Sequence, residues 1–594
     1  MGAIFLFRDE NNIDLNEVLD VFDRKHFSSP HSYKCAGWTI YSWPKMNGIA
    51  DHLAMYEDVT LISIGTPIYK GLDYSESLNE LVRNFYDHKL IKEELIGQYT
   101  LFFFGPDGIS VICDSLGTKH LYTDRDLSVI SSSFLAIACA MKGKLEVNRR
   151  ATYEKLLTGF ITAPDTLFSE IYQVSGELYD AFNQADNYIR FISVDAILKT
   201  DDMISCANEA QCIDRITKEL KCYFRHIQSV GNNGIDAGMS GGYDSRLILA
   251  CLHKFVGSKI HLHSHATEND HNGELKIANK MAEYVGIPCH TVSTKRLNHT
   301  ADPDRIMEES VLFFDGRTSF AIGGCGEVYT ADYRKQAIGN SPMTLTGVGG
   351  ELFRNVFNLG WSRIRFDWFM REKAFSVTMR KALDSDVLKD VESNIIQKTA
   401  SRLKIKPSSW NGKEIAHRYY CEVVMPDGQG NVIDAYNQVS CCTAPFLEPS
   451  IIRQGYEGIC YHGAGGDFEG KLIDMIDRGL ASIDSTYGYP LNKRPNSARV
   501  KEFIRSYVPD RLWQFLSDYA KGQKKTRRSR TYEDAVEICA KGSELEKALN
   551  NLFAMFPEIH FSYLLEDEES VRRIIFLAMT FHFISKYREH RLSE

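Results

Sequence analysis

Pairs of cysteines separated by two residues are missing from this 594-residue sequence, although it contains 14 cysteines. The thiols are scattered along the chain, apart from the adjacent Cys441 and Cys442. This distribution excludes the usual zinc-binding spacings and gives no sign of a disulfide framework. It is typical of buried thiols in a reducing compartment.

Long apolar runs and an excess of basic residues are also missing. The most apolar helical stretch, Ile574 to Ile584, is interrupted by Thr580 and His582, whereas about 20 apolar residues are needed to cross a bilayer. Lys and Arg number 69 against 78 Asp and Glu, which disfavours a dedicated nucleic-acid binder. The first twelve residues, MGAIFLFRDENN, lack the basic region of a secretory signal. We therefore expect a cytoplasmic protein with neither a nucleic-acid nor a membrane partner.

The composition, 44% hydrophobic and 25% charged, is that of a globular protein with a substantial core. Up to about residue 195 the pattern is rich in short strands, such as Tyr99–Phe104 and Ile109–Cys113, which are separated by turn residues. From about residue 210, long amphipathic helices alternate with isolated buried strands. The pattern predicts an α/β protein with two domains, residues 1–195 and 210–594.

The strongest local signal is the sequence SGGYDS at residues 240–245. An alternating apolar strand that includes Met239 precedes it, and an apolar helix follows it. A strand, a glycine turn and a helix N-terminus together form an anion site, because glycines allow close approach and free N–H groups point at the ligand. The loop lacks the GK[ST] ending of kinase-type phosphate loops.

The glycines, the serines and the aspartate of this loop each have an expected role. Gly241 and Gly242 would bring the backbone close to phosphate oxygens, and Ser240 and Ser245 would add hydroxyl donors. Asp244 is placed to hold a Mg²⁺ ion against the phosphates.

The loop resembles the pyrophosphate loop of the ATP pyrophosphatase superfamily, and the chain is most similar to the asparagine synthetases, β-lactam synthetases and lasso-peptide cyclases. Three further segments carry the resemblance: DSLGTKHLY at 114–122, TGVGGELF at 346–353 and APFLEP at 444–449. The resemblance implies an N-terminal αββα sandwich of the Ntn glutaminase type. It also implies a C-terminal PP-loop synthetase domain of the adenine-nucleotide α-hydrolase type, with a helical extension.

The resemblance also assigns the site. It implies that ATP and Mg²⁺ are the cofactors, that Gly347 and Gly349 join the loop in binding pyrophosphate, and that Met239 and His265 line the adenosine pocket. Asp244 and Glu351 would hold Mg²⁺, although Glu351 alternatively matches the second acid of the family's pair, which would leave Asp244 as the ligand. Lys493, with Arg494 as its competitor, would stabilise negative charge during catalysis. The catalytic residues implied are therefore Lys493, Glu351 and Asp244.

Two departures from the family pattern change the expected chemistry. Glutamine-hydrolysing members begin Met-Cys, whereas this chain has Gly2, and the glutamine-holding segment at 65–70 keeps only Ile-Tyr. We therefore expect a glutaminase-like domain that is inactive and serves as a scaffold. Val348 stands where synthetases often carry a catalytic acid or base, and a valine cannot move protons.

Two other patterns allow alternative interpretations. His261, His263 and His265 alternate along a predicted strand and so share one face, which fits a metal triad or, more favourably, polar core and nucleotide contacts. The basic run at 521–530 fits a solvated loop or a clamp for an anionic substrate. The resemblance does not extend beyond about residue 500, and we expect the remaining part of the chain to determine which substrate binds.

The resulting expectation is an ATP-dependent ligase that adenylates a carboxylate, releases pyrophosphate and transfers the acyl group to an amine. The substrate would be a small molecule or a peptide, the amine would be intramolecular or supplied by a second substrate, and the protein could form a homodimer. Alternatives are an amidotransferase that uses ammonia and a nucleotide-binding pseudoenzyme. A nucleic-acid-thiolating relative is disfavoured by the acidic charge and the missing CxxC pairs.

Overall fold

The fold is taken from a computed structural model. It describes the following residues: 1–8, 12–48, 53–184, 189–192, 208–231, 234–257, 259–267, 273–317, 326–463, 465–509, 512–513, 530–540, 542–564 and 567–589.

The N-terminal part is built from short strands and five helices in the described ranges. The strands are β1 (Ala3–Phe7), β2 (His31–Cys35), β3 (Trp38–Trp43), β4 (Leu53–Tyr56), β5 (Val59–Gly65), β6 (Ile68–Tyr69), β7 (Leu95–Ile96), β8 (Tyr99–Gly105), β9 (Gly108–Cys113), β10 (Tyr122–Asp124), β11 (Val129–Ser131), β12 (Ile171–Gln173) and β13 (Ile189–Ile192). The helices are α1 (Leu15–Arg24), α2 (Tyr74–Tyr86), α3 (Phe134–Ala140), α4 (Arg149–Thr158) and α5 (Tyr179–Gln184).

Two sheets of these strands pack face to face. One has the order β12-β10-β11-β1-β3-β2, and the other has the order β13-β9-β8-β5-β4, in which β13 is parallel to β9. Alternate side chains of both sheets meet between them, among them Ile4 and Leu6 on β1 and Phe102 and Phe104 on β8. The outer faces pack against helices, α1 and α3 on one side and α2 on the other. The strands predicted at Tyr99–Phe104 and Ile109–Cys113 are thereby confirmed.

The second part contains a parallel sheet surrounded by helices. Its strands are β14 (Ile235–Gly238), β15 (Ile260–Thr267), β16 (Cys289–Thr294), β17 (Met343–Leu345) and β20 (Cys441–Thr443), while β18 (Arg363–Arg365) and β19 (Trp410–Gly412) form a separate hairpin. The helices up to residue 507 are α6 (Glu209–Val230), α7 (Asp244–Phe255), α8 (Glu274–Val285), α9 (Pro303–Phe313), α10 (Ala331–Ile338), α11 (Phe366–Phe369), α12 (Val377–Ala382), α13 (Ser385–Arg402), α14 (Glu414–Tyr419), α15 (Gly430–Val439), α16 (Pro449–Glu457), α17 (Asp467–Ile476), α18 (Arg478–Ala481) and α19 (Asn496–Tyr507).

The order of the parallel strands, β16-β15-β14-β17-β20, determines where a ligand site can form. The chain runs from β14 outward in one direction to β16, and then crosses to the other side of β14 at β17. In open α/β sheets, ligands bind at the carboxyl ends of the strands where the strand order reverses in this way. The expected site is therefore between the ends of β14 and β17.

The last described helices return to the N-terminal layers. They are α20 (Arg530–Cys539), α21 (Glu544–Met555) and α22 (Glu568–Glu589), and the apolar stretch at 574–584 is the buried middle of α22. Helix α22 packs against α3, α4 and α9, so that the two predicted domains share one hydrophobic core. The role of the extension in substrate choice stays a prediction.

Among the described helices, none combines the length and apolar character that crossing a membrane requires.

Gly2 lies in a tightly packed position at the start of β1. A Cβ at this position would lie 2.6 Å from the Phe27 ring and 3.1 Å from the carbonyl oxygens of Pro44 and Gln438. Separations this short are unfavourable, so the surroundings leave no room for a thiol side chain at this position.

We predict that Gly2→Cys destabilises the protein by about 1–3 kcal/mol, the usual cost of overpacking a core, and restores no glutaminase activity. Urea unfolding and glutamine hydrolysis are the measurements. Gly176→Cys is the matched control, because a Cβ there meets no atom within 4 Å. A Gly2→Cys protein as stable as this control would contradict the packing argument.

Candidate functional site

The loop predicted to bind phosphate connects β14 to α7, as expected from the sequence. Met239 is buried at its start, and its N–H donates to the His263 carbonyl at 2.7 Å. The hydroxyls of Ser240 and Ser245 are 2.9 Å apart, and the Gly242 N–H lies 3.4 Å from the Ser240 hydroxyl. The loop is therefore closed by its own serines at the N-terminus of a helix, where backbone N–H groups favour an anion.

The glycine-rich segment that follows β17 lies directly against this loop. A Cβ on Gly347 would lie 2.9 Å from the Asp244 Cβ, and a Cβ on Gly350 would overlap the Asp244 carboxylate. Gly349 has a φ of +91° and packs against Phe446 and Leu447 of the APFLEP segment. Glycine is required at 347 and 350 because a side chain would push the segment away from Asp244, and at 349 because of the positive φ and the contact with Leu447.

One guanidinium connects the acids of the site. Arg354 Nη2 lies 2.6 Å from Asp244 Oδ1 and 3.7 Å from Glu351 Oε1. Arg354 Nε lies 3.0 Å from Glu469 Oε2, on α17. The guanidinium also lies over the ring of Tyr243, 5.6 Å from its centroid. Carboxylates from three separate elements thus converge on one fixed positive charge.

Burial is the main influence on the pKa of two of these acids, Asp244 and Glu469. It raises the pKa of Asp244 to about 6, although the Arg354 charge acts in the opposite direction. The pKa of the fully buried Glu469 is raised well above its usual range for the same reason. A cation that entered beside Asp244 would favour the ionised carboxylate.

Glu351 is held from the other side by Tyr420. The Tyr420 hydroxyl donates to Glu351 Oε2 at 2.7 Å, and Tyr420 begins a π-helical segment, Tyr420–Gln429. Such widened turns are frequent at functional sites. Val348 packs against the hydrophobic core, and its side chain has no group that could transfer a proton.

The segment 484–494 covers the phosphate loop. The Thr486 N–H donates to the Gly241 carbonyl at 3.2 Å, and a Cβ on Gly241 would overlap the Thr486 methyl group. Arg246 is fully buried and donates to the carbonyls of Leu480 and Ile483, just before the covering segment, and of Asp484, at its start. The first turn of α7 therefore holds the cover in place.

The two basic residues of this segment differ in their surroundings. Lys493 is exposed. Arg494 is buried and forms ion pairs with Asp467, at 3.0 Å, and with Glu502. Arg494 thus ties α17 to α19, and Lys493 stays the predicted group for charge stabilisation.

Two of the three alternating histidines, His263 and His265, make polar contacts along β15. His263 Nδ1 lies 2.8 Å from Asp236 Oδ1, with both side chains buried. His265 Nδ1 lies 2.8 Å from the Tyr333 hydroxyl, and burial together with the nearby His263 lowers the pKa of His265 to about 4. Within the described ranges, no three His, Cys, Asp or Glu side chains are grouped so as to hold a metal ion. His265 as an adenosine contact stays a prediction.

Sequence reasoning missed three residues of this site: Arg246, Arg354 and Glu469. Arg354 directly follows the GELF run, and Glu469 stands at a buried position of an amphipathic helix, among Phe468, Leu472 and Ile473. A charged residue on a buried helical face was the available signal. The basic run at 521–530 lies outside the described residues, apart from Arg530, which begins α20.

No family model matches the chain, and no curated protein matches it.

We predict that Arg354→Ala lowers the free energy of unfolding by about 3 kcal/mol, because three carboxylates lose their counter-charge in a largely buried place. Arg354→Lys should lower the free energy of unfolding less, since an ammonium keeps the charge but lacks the planar set of N–H donors of a guanidinium. Arg150→Ala, which removes an exposed ion pair with Asp390, is the control and should cost about 1 kcal/mol or less. Equal losses for Ala at 354 and 150 in urea unfolding would contradict this account.

Glu448, the acid of the APFLEP segment, links the parallel sheet to the N-terminal layers. The Gly97 N–H donates to Glu448 Oε1 at 2.8 Å, and Gln98 Nε2 donates to the same oxygen at 3.0 Å. Burial raises the pKa of Glu448 to about 8, so the side chain is mainly protonated at neutral pH.

Because the folded pKa of Glu448 lies above its unfolded value, the stability it contributes is complete below about pH 4.5 and is lost as pH rises through about 8. Glu448→Gln, which keeps the accepting oxygen, should remove a slope of up to about 1.4 kcal/mol per pH unit in this window. Urea unfolding at a series of pH values is the measurement. Identical slopes in the two proteins would show that Glu448 titrates normally.

Proposed function

We propose that the chain is an ATP-dependent ligase that converts a substrate carboxylate into an acyl-adenylate, with release of pyrophosphate, and passes the acyl group to an amine. The observation that carries this proposal is the meeting of the loop 240–245 with the glycine-rich segment 346–353, at the ends of the adjacent parallel strands β14 and β17. Loop amides beside a helix N-terminus suit an anion, and the neighbouring acids suit a divalent cation. The resemblance of both segments to those of asparagine synthetases supports the same assignment.

Asp244 and Glu351 would hold the Mg²⁺ ion that accompanies ATP. Both carboxylates lie within ion-pair distance of the same guanidinium nitrogen, at 2.6 and 3.7 Å, so they converge on one place in the site. Mg²⁺ usually takes one or two protein carboxylates and completes its shell with water and phosphate oxygens. When bound, it would neutralise negative charge on the phosphates.

The residues of the chain would act mainly by positioning and electrostatics. The amides of Gly241 and Gly242 would donate to pyrophosphate oxygens, while the hydroxyls of Ser240 and Ser245 would turn from each other toward the same ligand. The carboxylate of the substrate would attack the α-phosphorus, and pyrophosphate would leave along the loop. The amine would then attack the acyl carbon, with AMP as the leaving group. Lys493 is the proposed group for charge that develops during these steps.

Glutamine is not the proposed source of the amine. Gly2 has no room for a nucleophilic side chain, and the segment 65–70 is tied to the second part of the protein, since Thr66 Oγ1 donates to Asn437 Oδ1 at 2.7 Å. We assign the N-terminal layers to an inactive glutaminase-type αββα sandwich and the parallel sheet to a PP-loop synthetase domain. The amine is then part of the substrate, belongs to a second substrate, or is ammonia.

A nucleotide-binding protein without catalysis is the second candidate. One observation favours it: Arg354 already neutralises both acids that would hold Mg²⁺, while Val348 supplies no acid or base. Exchange of labelled pyrophosphate into ATP in the presence of candidate carboxylates separates the two, because a pseudoenzyme shows none.

We predict that Asp244→Ala abolishes carboxylate-dependent release of pyrophosphate, because the loop loses its Mg²⁺ ligand. Asp244→Asn, which keeps the shape against Gly350, should be equally inactive and remain folded. Asp386→Ala, at an acid whose side chain is 94% exposed, is the control and should keep full activity. Activity that survives in both Asp244 variants would overturn the assignment of this loop.

A further inference from the structure

A continuous aromatic surface lies beside the candidate site, and none of the roles described so far accounts for it. We define it by Trp361, Trp368, Trp410, Phe503 and Tyr507. The exposed fraction is 47% for Trp361, 62% for Trp410 and 59% for Phe503. Large apolar side chains that are exposed together, rather than singly, mark interaction surfaces.

Helix α19 supplies one half of this surface. It contacts the protein through Glu502 and Ser506, and it points Val500, Phe503 and Tyr507 toward solvent, with Ile504 between them. The spacing of these apolar residues, i, i+3, i+4 and i+7, is the spacing by which a helix normally faces a core. In α19 this face is turned outward.

The hairpin of β18 and β19 supplies the other half. The Trp361 ring lies 5.5 Å from the Tyr507 ring, and Arg365 pairs in register with Trp410 across the hairpin. The hairpin and its neighbouring residues line an open groove of about 530 Å³, with Trp368, Trp410 and Pro509 in its walls. This volume lies within the range for small-molecule pockets, and the 12 residues of α19 extend the surface by about 18 Å. An extended ligand therefore fits better than a compact one.

The surface borders the candidate site along two segments of chain. Six residues separate Trp361 from Arg354, and Asn355 folds this stretch back by hydrogen-bonding both the N–H and the carbonyl of Leu359. The Gly360 N–H then donates to the Ser506 carbonyl at 2.8 Å. On the other side, Arg494 ties α19 to α17, which carries Glu469.

The charges around the surface are mostly positive, although the whole chain has a net charge of -9. Arg363 is exposed in the groove wall and forms no ion pair with any described residue. Lys501 and Arg505 are exposed on α19. The two acids of the groove wall already have counter-charges, since Asp367 pairs with Arg365 and Glu372 with Arg380. A negatively charged ligand matches this distribution.

We propose that the aromatic surface binds an acidic peptide that carries aromatic side chains. The aromatic residues enter the groove and lie along α19, and the carboxylates face Arg363 and the exposed basic residues of the helix. This binding goes beyond the proposed ligase activity, because it does not depend on ATP or on the phosphate loop.

Selection from a displayed library of random peptides of about twelve residues tests the proposal, with the full-length protein as bait. The expected result is enrichment of sequences rich in Phe, Tyr or Trp and in Asp or Glu. Binding of the selected peptides, measured by fluorescence anisotropy, should weaken about tenfold or more in Trp410→Ala and in Phe503→Ala. Arg363→Glu should weaken it as well, and Asp244→Ala should leave it unchanged.

Tyr563→Ala is the matched control, because its side chain is 58% exposed away from the surface. Enrichment of basic peptides, or equal binding by the Trp410→Ala variant, overturns the proposal. Sedimentation that shows a dimer of the wild type which dissociates in Phe503→Ala also overturns it, since the surface is then an interface between copies. A protein that releases no pyrophosphate but still binds the peptides would contradict the proposed ligase activity and leave the peptide proposal intact.

Discussion

The ion pairs of Arg354 are the interaction on which the rest of the site depends. Its guanidinium holds Asp244 at the start of α7, Glu351 after β17 and Glu469 on α17. Without a cation here, burying three carboxylates together would be strongly unfavourable. This one side chain therefore allows the phosphate loop, the glycine-rich segment and a core helix to meet. It also means that Mg²⁺ would enter a place where positive charge is already present.

The strand order and the glycines explain why these elements meet at that point. The reversal between β14 and β17 brings two loops to the same edge of the sheet. Gly347 and Gly350 then let the second loop lie against Asp244 without a side chain between them. The segment 484–494 covers the phosphate loop, and Arg246 holds this segment by donating to the Asp484 carbonyl. The proposed chemistry needs this arrangement, since it relies on positioning more than on a proton-transfer group.

Much of the architecture could be predicted from the sequence, because it depends on local patterns. The strand, turn and helix around residues 240–245 followed from apolar alternation and glycines, and the lack of a nucleophile at Gly2 from a departure at one position. Arg354 and Glu469 could not be placed in this way. Apart from Glu351, which is three residues from Arg354, their partners lie 110 and more residues away along the chain, so a local pattern does not reveal them. The same holds for Lys493 and Arg494, since only the folded chain shows which of the two is buried.

The most direct test of the account is a crystal structure with Mg²⁺ and the α,β-methylene analogue of ATP, which cannot be cleaved at the bond in question. The account predicts that the β- and γ-phosphates lie against the amides of Gly241 and Gly242, with a Mg²⁺ ion between them and Asp244. It also predicts that Arg354 moves away from Asp244 or shares it with the metal. Nucleotide bound elsewhere, or a loop that stays empty at saturating analogue, would contradict it.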